Sequence, residues 1–439
     1  MSETANPRAD RAHYLADLER VLRAGPEWIS ALRETAAAQF ANLEFPHRKM
    51  EQWRFTNIAP IVRTPFRSLV APRGEAPADQ VERVRYAEQD WSELVFVDGF
   101  FAPSLSRVSG NITAKSLSSA VHEDDALVRA HLNRYLNGTS NAFTVLNSAF
   151  LLDGAFVHIP QGATVDAPLH LLFVSTAEES DTAVYPRNLI LIGPNARVSI
   201  VESHASLNAG SRYLNNAVAE VSVGDGANVA YYKLIAEADE AFHLATARVR
   251  LGRDSSFRSF TICQSGKIVR NEISALLDGE GAHCSLNGLY TVSGDQLVDN
   301  PIAIEHAKPN CTSWIGYKGV LQDKSHAVYT GKVYVRRDAQ KTDSNQLNQN
   351  LVLSDKATID TKPQLEIFAD DVKCTHGATV GPPPRDLVFY FRTRGMNEAM
   401  ALAMLTYGFA DEVVNQVEVG PVRKRLEDFV FNKYSPIPG

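Results

Sequence analysis

The chain has 439 residues, 44% of them hydrophobic and 22% charged, with a formal net charge of −7. That length and apolar share allow a sizeable core, in two or three domains or one long repetitive one, and the acidic balance argues against nucleic acid or an anionic membrane surface as partner. The four cysteines, at 263, 284, 311 and 374, form no C-x-x-C pair, which argues against a disulfide-stapled secreted domain and against a self-contained zinc or iron–sulfur site.

The N-terminus, MSETANPRADRAHY, lacks a basic stretch followed by an apolar one, so no leader is expected. No apolar run approaches the ~20 residues of a membrane span. The cytoplasm is the expected location. Helical spacing follows at Tyr14, Leu15, Leu18, Val21 and Leu22, closed by Gly25-Pro26, and again at Trp28, Leu32, Ala36 and Phe40. The prolines between Arg63 and Asp79 read as a loop or linker.

From about Leu94 the pattern changes to short β runs: ELVFVDG, AFVHIP, PLHLLFVS, NLILIG, EVSVG, YYKLI and RVRLG. One stretch, Glu123 to Tyr135, keeps helical character. The runs contain a repeat. Apolar residues Ile159, Ile192, Val223, Leu251, Leu277, Leu321 and Leu353 each precede a turn, and four positions later stands a small residue: Ala163, Ala196, Ala227, Ser255, Gly281, Ser325 or Ala357. Two positions further on the residue is apolar in every unit but one, where it is His283. A small residue permits a tight corner, and the next inward-pointing residue is apolar. One such unit cannot bury its inner face alone, so the units must stack as a β-solenoid. An antiparallel sandwich or barrel is the competing architecture.

After Gly381 come three prolines and then helical patterns: Arg385 to Arg394, a segment capped by Asn397 and running through Met400, Leu402, Met404, Leu405 and Phe409, and one opened by Pro421 with Val422, Leu426, Phe429 and Val430 on one side. The second is apolar nearly all round, which predicts cover on both faces; the plainer expectation is that these helices plug an open solenoid end. The chain thus divides into an N-terminal helical domain (1–85), a mainly β core (86–381) and a C-terminal helical domain (382–439).

The chemistry concentrates in KCTHGATVG, residues 373 to 381. Cys374 and His376 stand at i, i+2, so an extended segment turns both to one side. Thiolate and imidazole are ligands for soft and borderline metals, and the Asp370-Asp371 pair lies just upstream. Two ligands are too few for a closed zinc site, so a metal here is held openly, transiently or with help from another chain. The bland alternative is a buried cysteine beside a histidine that satisfies a corner. His283-Cys284 and His306 with Cys311 are weaker pairings; Cys263, Cys284 and Cys311 read first as small core residues. Arg336, Arg337 and Asp338 read as a solvated strand end. Ser265-Gly266-Lys267-Ile268 lacks the glycine spacing and hydroxyl of a P-loop, and no G-x-S-x-G or H-E-x-x-H occurs.

The stretch SNQLNQNLVLSDKATIDTKPQLEIFADDVKCTHGATVG with LVFYFRTRGM after it, and FPHRKMEQWRFTNIAPI near the start, closely resembles the SufB/SufD family of iron–sulfur cluster assembly scaffolds, with KCTHGATVG similar to the SufD-type version. The resemblance implies a right-handed parallel β-helix core between two helical domains. It implies pairing with SufB through the β-helices, and docking of the ATPase SufC on the C-terminal helices. It assigns His376 to iron or a nascent cluster at the SufB interface, with Cys374 its neighbour, and no catalytic residue. Reduced flavin in the complex, and a homodimer where SufB is absent, are further expectations of the family. The run Pro382-Pro383-Pro384-Arg385-Asp386 departs from the usual acidic stretch and leaves the entry to the C-terminal helices open. Competing functions are a SufB-type scaffold, or a polysaccharide-active β-helix enzyme, for which no acidic triplet on consecutive repeats is evident.

Overall fold

A computed structural model describes residues 11–434 except 75, 111, 137–140 and 177–178. The leader-free reading of the N-terminus falls largely on residues 1–10, outside the described residues.

Between Ser92 and Gly381 the chain alternates between two sheets. One holds, in spatial order, Ala155–Ile159, Arg187–Ile192, Tyr213–Val223, Phe242–Leu251, Ile268–Leu277, Leu297–His306, His326–Val335 and Thr358–Ile367. The other holds Ser92–Val97, Leu169–Ser175, Arg197–Ser206, Asn228–Ala236, Ser256–Ser265, His283–Val292, Thr312–Leu321, Asp343–Val352 and Lys373–Gly381. These neighbours pair in parallel. Antiparallel pairing occurs at the short flanking strands Phe100–Phe101 and Thr113–Ser116 and at the isolated bridge between Glu93 and Arg107. The expected solenoid therefore stands, with about seven turns, and the sandwich and barrel do not. From Ala155 onward, residues one turn apart in register are separated by 26 positions (Phe242 against Ile268) to 33 (Phe156 against Leu189).

The corners explain the repeat and its irregularity. Ile159, Ile192, Val223, Leu251 and Leu277 do stack in register as the last residues of strands in one sheet. Leu321 ends a strand of the other sheet, opposite Val292, so the step from Leu277 to Leu321 (321 − 277 = 44) is one and a half turns. His283 breaks the apolar column because the corner 278–282 has one residue more than 252–255. His283 pairs with Ser256 and faces out, while Cys284 pairs with Phe257 and is fully buried. At four corners the residue before the small one sits in the left-handed region: Gly162 (φ 71°), Asn195 (φ 57°), Gly226 (φ 67°) and Asp254 (φ 52°).

Side chains of both sheets fill the space between them, among them Phe257, Ile273, Tyr290, Ile315, Tyr329 and Val333. Helices cover the two outer faces. α1 (Ala12–Glu19), α2 (Glu27–Asn42), α3 (Ala59–Arg63) and α4 (Ala78–Val84) precede the solenoid; α5 (Leu117–Glu123), α6 (Asp125–His131) and α7 (Ala142–Phe150) lie within its first turns. Tyr14, Phe40, Phe45 and Phe143 pack together against Leu214, Phe242 and Leu244 of the first sheet. The helical character expected from Glu123 to Tyr135 is met by α6, but α7 escaped the sequence pattern: all nine of its residues are buried, so it has no polar face to reveal a period. It is tied down through Asn147, which donates to the carbonyls of Pro186 and Asn216 and accepts from the buried Arg187, itself paired with Glu220 at 2.7 Å.

The C-terminal helices α8 (Arg385–Thr393), α9 (Glu398–Val414) and α10 (Gly420–Tyr434) do not plug the end. α9 and α10 lie on the outer face of the second sheet, where Val413, Val417, Val422, Leu426 and Val430 pack on Tyr232, Phe260, Leu289 and Val320. Asn397 caps α9 as expected, its Oδ1 accepting from the Met400 N–H at 2.8 Å. Only one face of α9 is covered within the chain; Met404 is left exposed. No helix among the described residues is long and apolar enough to cross a membrane.

Candidate functional site

Thr358–Ile367 and Lys373–Gly381 are the last strands of their sheets, and among the described residues no strand pairs with their outer edges. The solenoid ends uncapped, with Ile367, Phe368 and Val380 exposed there. Unpaired edges of this kind invite pairing with another chain.

Cys374 and His376 lie on that edge strand, in parallel register with Ser344 and Gln346. Ser344, Gln346, Asn348 and Asn350 are all buried and alternate with more exposed neighbours, so this face of their strand looks into the solenoid. Cys374 continues it and packs partly against the core, and His376, two residues on, shares the side but is exposed because nothing covers the last turn. The thiol of Cys374 is pushed up from its ordinary pKa, first by partial burial and then by the Asp343 carboxylate, while the Ser344 backbone pulls the other way.

The polar run 341–350 shows no alternation of apolar and polar residues in the sequence. It is a strand itself, Asp343–Val352, and its amides line the interior. Asn348 donates to the Tyr290 hydroxyl at 3.1 Å and to the Tyr317 carbonyl at 3.2 Å, Asn350 donates to Asn348 at 2.6 Å, and Thr361 donates to Asn348 at 2.9 Å. Gln346 donates to the Gln364 carbonyl at 3.2 Å. The core thus turns from apolar to polar in the turn beneath the edge.

The other sequence-stated residues fall apart from this site. Asp370 and Asp371 sit at the last corner, where the Asp371 backbone bonds to Gln340 and Lys341. His283 faces outward and bonds Thr312 at 2.7 Å, while Cys284 faces inward, since adjacent strand residues point oppositely. His306 is buried against Ser313 (2.8 Å), which in turn bonds Ser344, whereas Cys311 points to the Gly279 carbonyl at 3.2 Å. Burial raises the pKa of Cys263 to about 12 and pushes Cys284 higher still, so both remain inert thiols. Arg336 pairs with Glu305 at the surface.

Two constellations were not visible in the sequence. Ser203, His170 and Glu93 form a hydrolase-like relay, Oγ to Nε2 at 2.7 Å and Nδ1 to Oε1 at 2.8 Å. Each member is at most 1% exposed and Glu93 is also held by Arg85 at 2.7 Å, so no substrate reaches the serine and the relay is a tie between strands. The second is His204, Glu237 and His243, the one group of three metal-capable side chains that converges among the described residues. Burial lowers the His243 pKa to about 4, and Glu237 is held ionised near 2 by its hydrogen bonds and nearby imidazoles despite its burial. The signal that reveals it is register: His204 opposes Ile235, two residues before Glu237, one turn later.

Fold and site define a class: a parallel β-solenoid scaffold whose last turn presents a thiol and an imidazole on an open edge, with no accessible catalytic relay found among the described residues. The SUF system FeS cluster assembly SufBD core domain matches residues 173–409, and the SufBD protein N-terminal region matches residues 12–171. The chain is 32% identical to an iron–sulfur cluster assembly SufBD family protein of Synechocystis, over 91% of this chain and 89% of that one. It is 31% identical to the iron–sulfur cluster assembly protein SufD of Escherichia coli (85% and 86% covered) and 26% identical to SufD of Bacillus subtilis (93% and 94%). This chain belongs to the SufBD family of iron–sulfur cluster assembly proteins.

Proposed function

We propose that the chain is a SufD-type, non-catalytic subunit that acts with SufB and the ATPase SufC, offering His376, and with it Cys374, to iron or to a nascent cluster shared with SufB. The observation that carries this reading is the placement of both residues on the last strand of the second sheet, whose outer edge pairs with no strand among the described residues, turned to the same side. Two ligands on an edge leave coordination incomplete until a partner strand supplies the rest, and incomplete coordination suits a scaffold that must release its cargo. Two copies of this chain would meet through the same edges where SufB is absent.

ATP hydrolysis falls to SufC, since the sequence carries no P-loop. SufC docks on the C-terminal helices, where Leu387, Phe389, Tyr390, Met404 and Phe431 leave apolar area exposed. Work in the cytoplasm, alongside reduced flavin in the complex, completes the reading. The test is His376→Ala in the reconstituted three-protein complex. Iron content and cluster yield should both fall; unchanged values for both rule the role out.

A further inference from the structure

We propose that His204, Glu237 and His243 form a buried binding site for one divalent first-row transition-metal ion, separate from the solenoid edge. One ligand atom of each lies within 4.8 Å of those of the other two. A tetrahedral ion with ligands at ~2.1 Å needs its donors about 3.4 Å apart, so small side-chain movements close the set. Two imidazoles and one carboxylate select zinc or ferrous iron over calcium or magnesium, which take oxygen ligands.

The surroundings are those of a metal site. His204 Nε2 lies 2.8 Å from Glu202, which is fixed in turn by Tyr231 and by Lys233 at 3.1 Å. The second oxygen of Glu237 accepts from the Tyr213 hydroxyl at 2.5 Å. His204 is stacked on Phe173, with ring centroids 4.9 Å apart, and meets His243 edge-on at 4.7 Å. Ligands oriented from behind by carboxylates and hydroxyls are what metal centres require.

A self-sufficient polar network would satisfy its own members, and this one does not. His243 Nε2 and Asn215 Oδ1 are both buried without a partner. The Asn215 amide nitrogen stands 3.0 Å from His204 Nδ1 and 3.0 Å from Glu237 Oε1, bridging two of the three residues, while His243 Nδ1 bonds the same Glu237 oxygen at 2.7 Å. Turning that amide places its oxygen beside two acceptors, His204 Nδ1 and Glu237 Oε1, an arrangement that a cation stabilises, and makes Asn215 the fourth ligand. The ion joins four successive strands at one corner, since Asn215 pairs with His243 and His204 with Ile235.

The test uses the full chain carrying Cys374→Ala and His376→Ala, which removes the edge ligands. It is unfolded in chelator, refolded with cobalt(II) and desalted. About one equivalent of cobalt should remain, with the visible absorption of a nitrogen–oxygen set, a raised melting temperature and displacement by zinc. Adding Glu237→Gln or His204→Gln should cut retention by about tenfold or more. Full retention in either variant overturns the site. Should a variant fail to fold, the edge-free chain decides alone: no retained cobalt and the same melting temperature with and without it overturn the proposal.

Discussion

His376 lies opposite Gln346 in the last parallel strand pair, and Gln346 lies opposite Ile315 one turn below. One column of the solenoid interior therefore passes from a buried isoleucine to a buried amide to an exposed imidazole. The same position in the fold changes from core, to hydrogen-bonded network, to exposed side chain as cover runs out.

That column predicts opposite responses to the same truncation. His376→Ala removes an exposed side chain, and its unfolding free energy should match the parent's within about 0.5 kcal/mol. Gln346→Ala strips the partner of Gln364 and of the buried Tyr329 hydroxyl. It should cost about 1–3 kcal/mol, read by urea denaturation. Equal losses in the two variants would place His376 in the core after all.

Cys374 should alkylate slowly at neutral pH in the metal-free chain, with a rate that rises only above the ordinary thiol range near pH 8.5, because burial and Asp343 hold the proton on. Asp343→Asn removes the charge and should speed the reaction at pH 8. Cys263 and Cys284 should stay unmodified until the protein unfolds. Mass spectrometry after timed iodoacetamide treatment distinguishes these thiols, and an unchanged rate in Asp343→Asn contradicts the electrostatic part.

His306 makes the fold acid-sensitive. Burial lowers its pKa to about 4 in the folded chain, against about 6.5 when unfolded. Above pH 6.5 both states are neutral and nothing is lost. Between pH 6.5 and 4 only the unfolded chain takes the proton, so stability falls, by roughly 3 kcal/mol across the window; below pH 4 both states are protonated and this loss stops growing. His306→Gln should flatten the profile by that share relative to the parent, His243 and His170 contributing equally to both.

α8 buries none of its residues, and Phe389 is 67% exposed. Phe389→Ser should leave the melting temperature unchanged and weaken SufC binding at least tenfold by calorimetry, while pairing with SufB persists. Unaltered SufC affinity would move the docking surface elsewhere.

Much of the architecture was legible because corners are local. A small residue at Ala196, Ala227, Ser255 or Ser325 and an apolar residue two positions on mark each turn from the residues themselves. The phase change between Leu277 and Leu321 was not legible, since a corner of one sheet looks like a corner of the other in a short window. α7 and the amide-lined strand Asp343–Val352 were missed for one reason: an element buried in tertiary context need not show the alternation that marks a surface element.

By itself the sequence determined that the chain is a stack of short strands, and that Cys374 and His376 share a side, because residues two apart in an extended segment do so wherever the segment lies. Only the tertiary structure decided that this segment is the final edge, that α9 and α10 lie along the flank and leave that edge open, and that His204 meets Glu237 and His243. Those facts depend on register between strands one turn apart, and register is settled by the packing of all the turns together, which no local stretch of sequence contains.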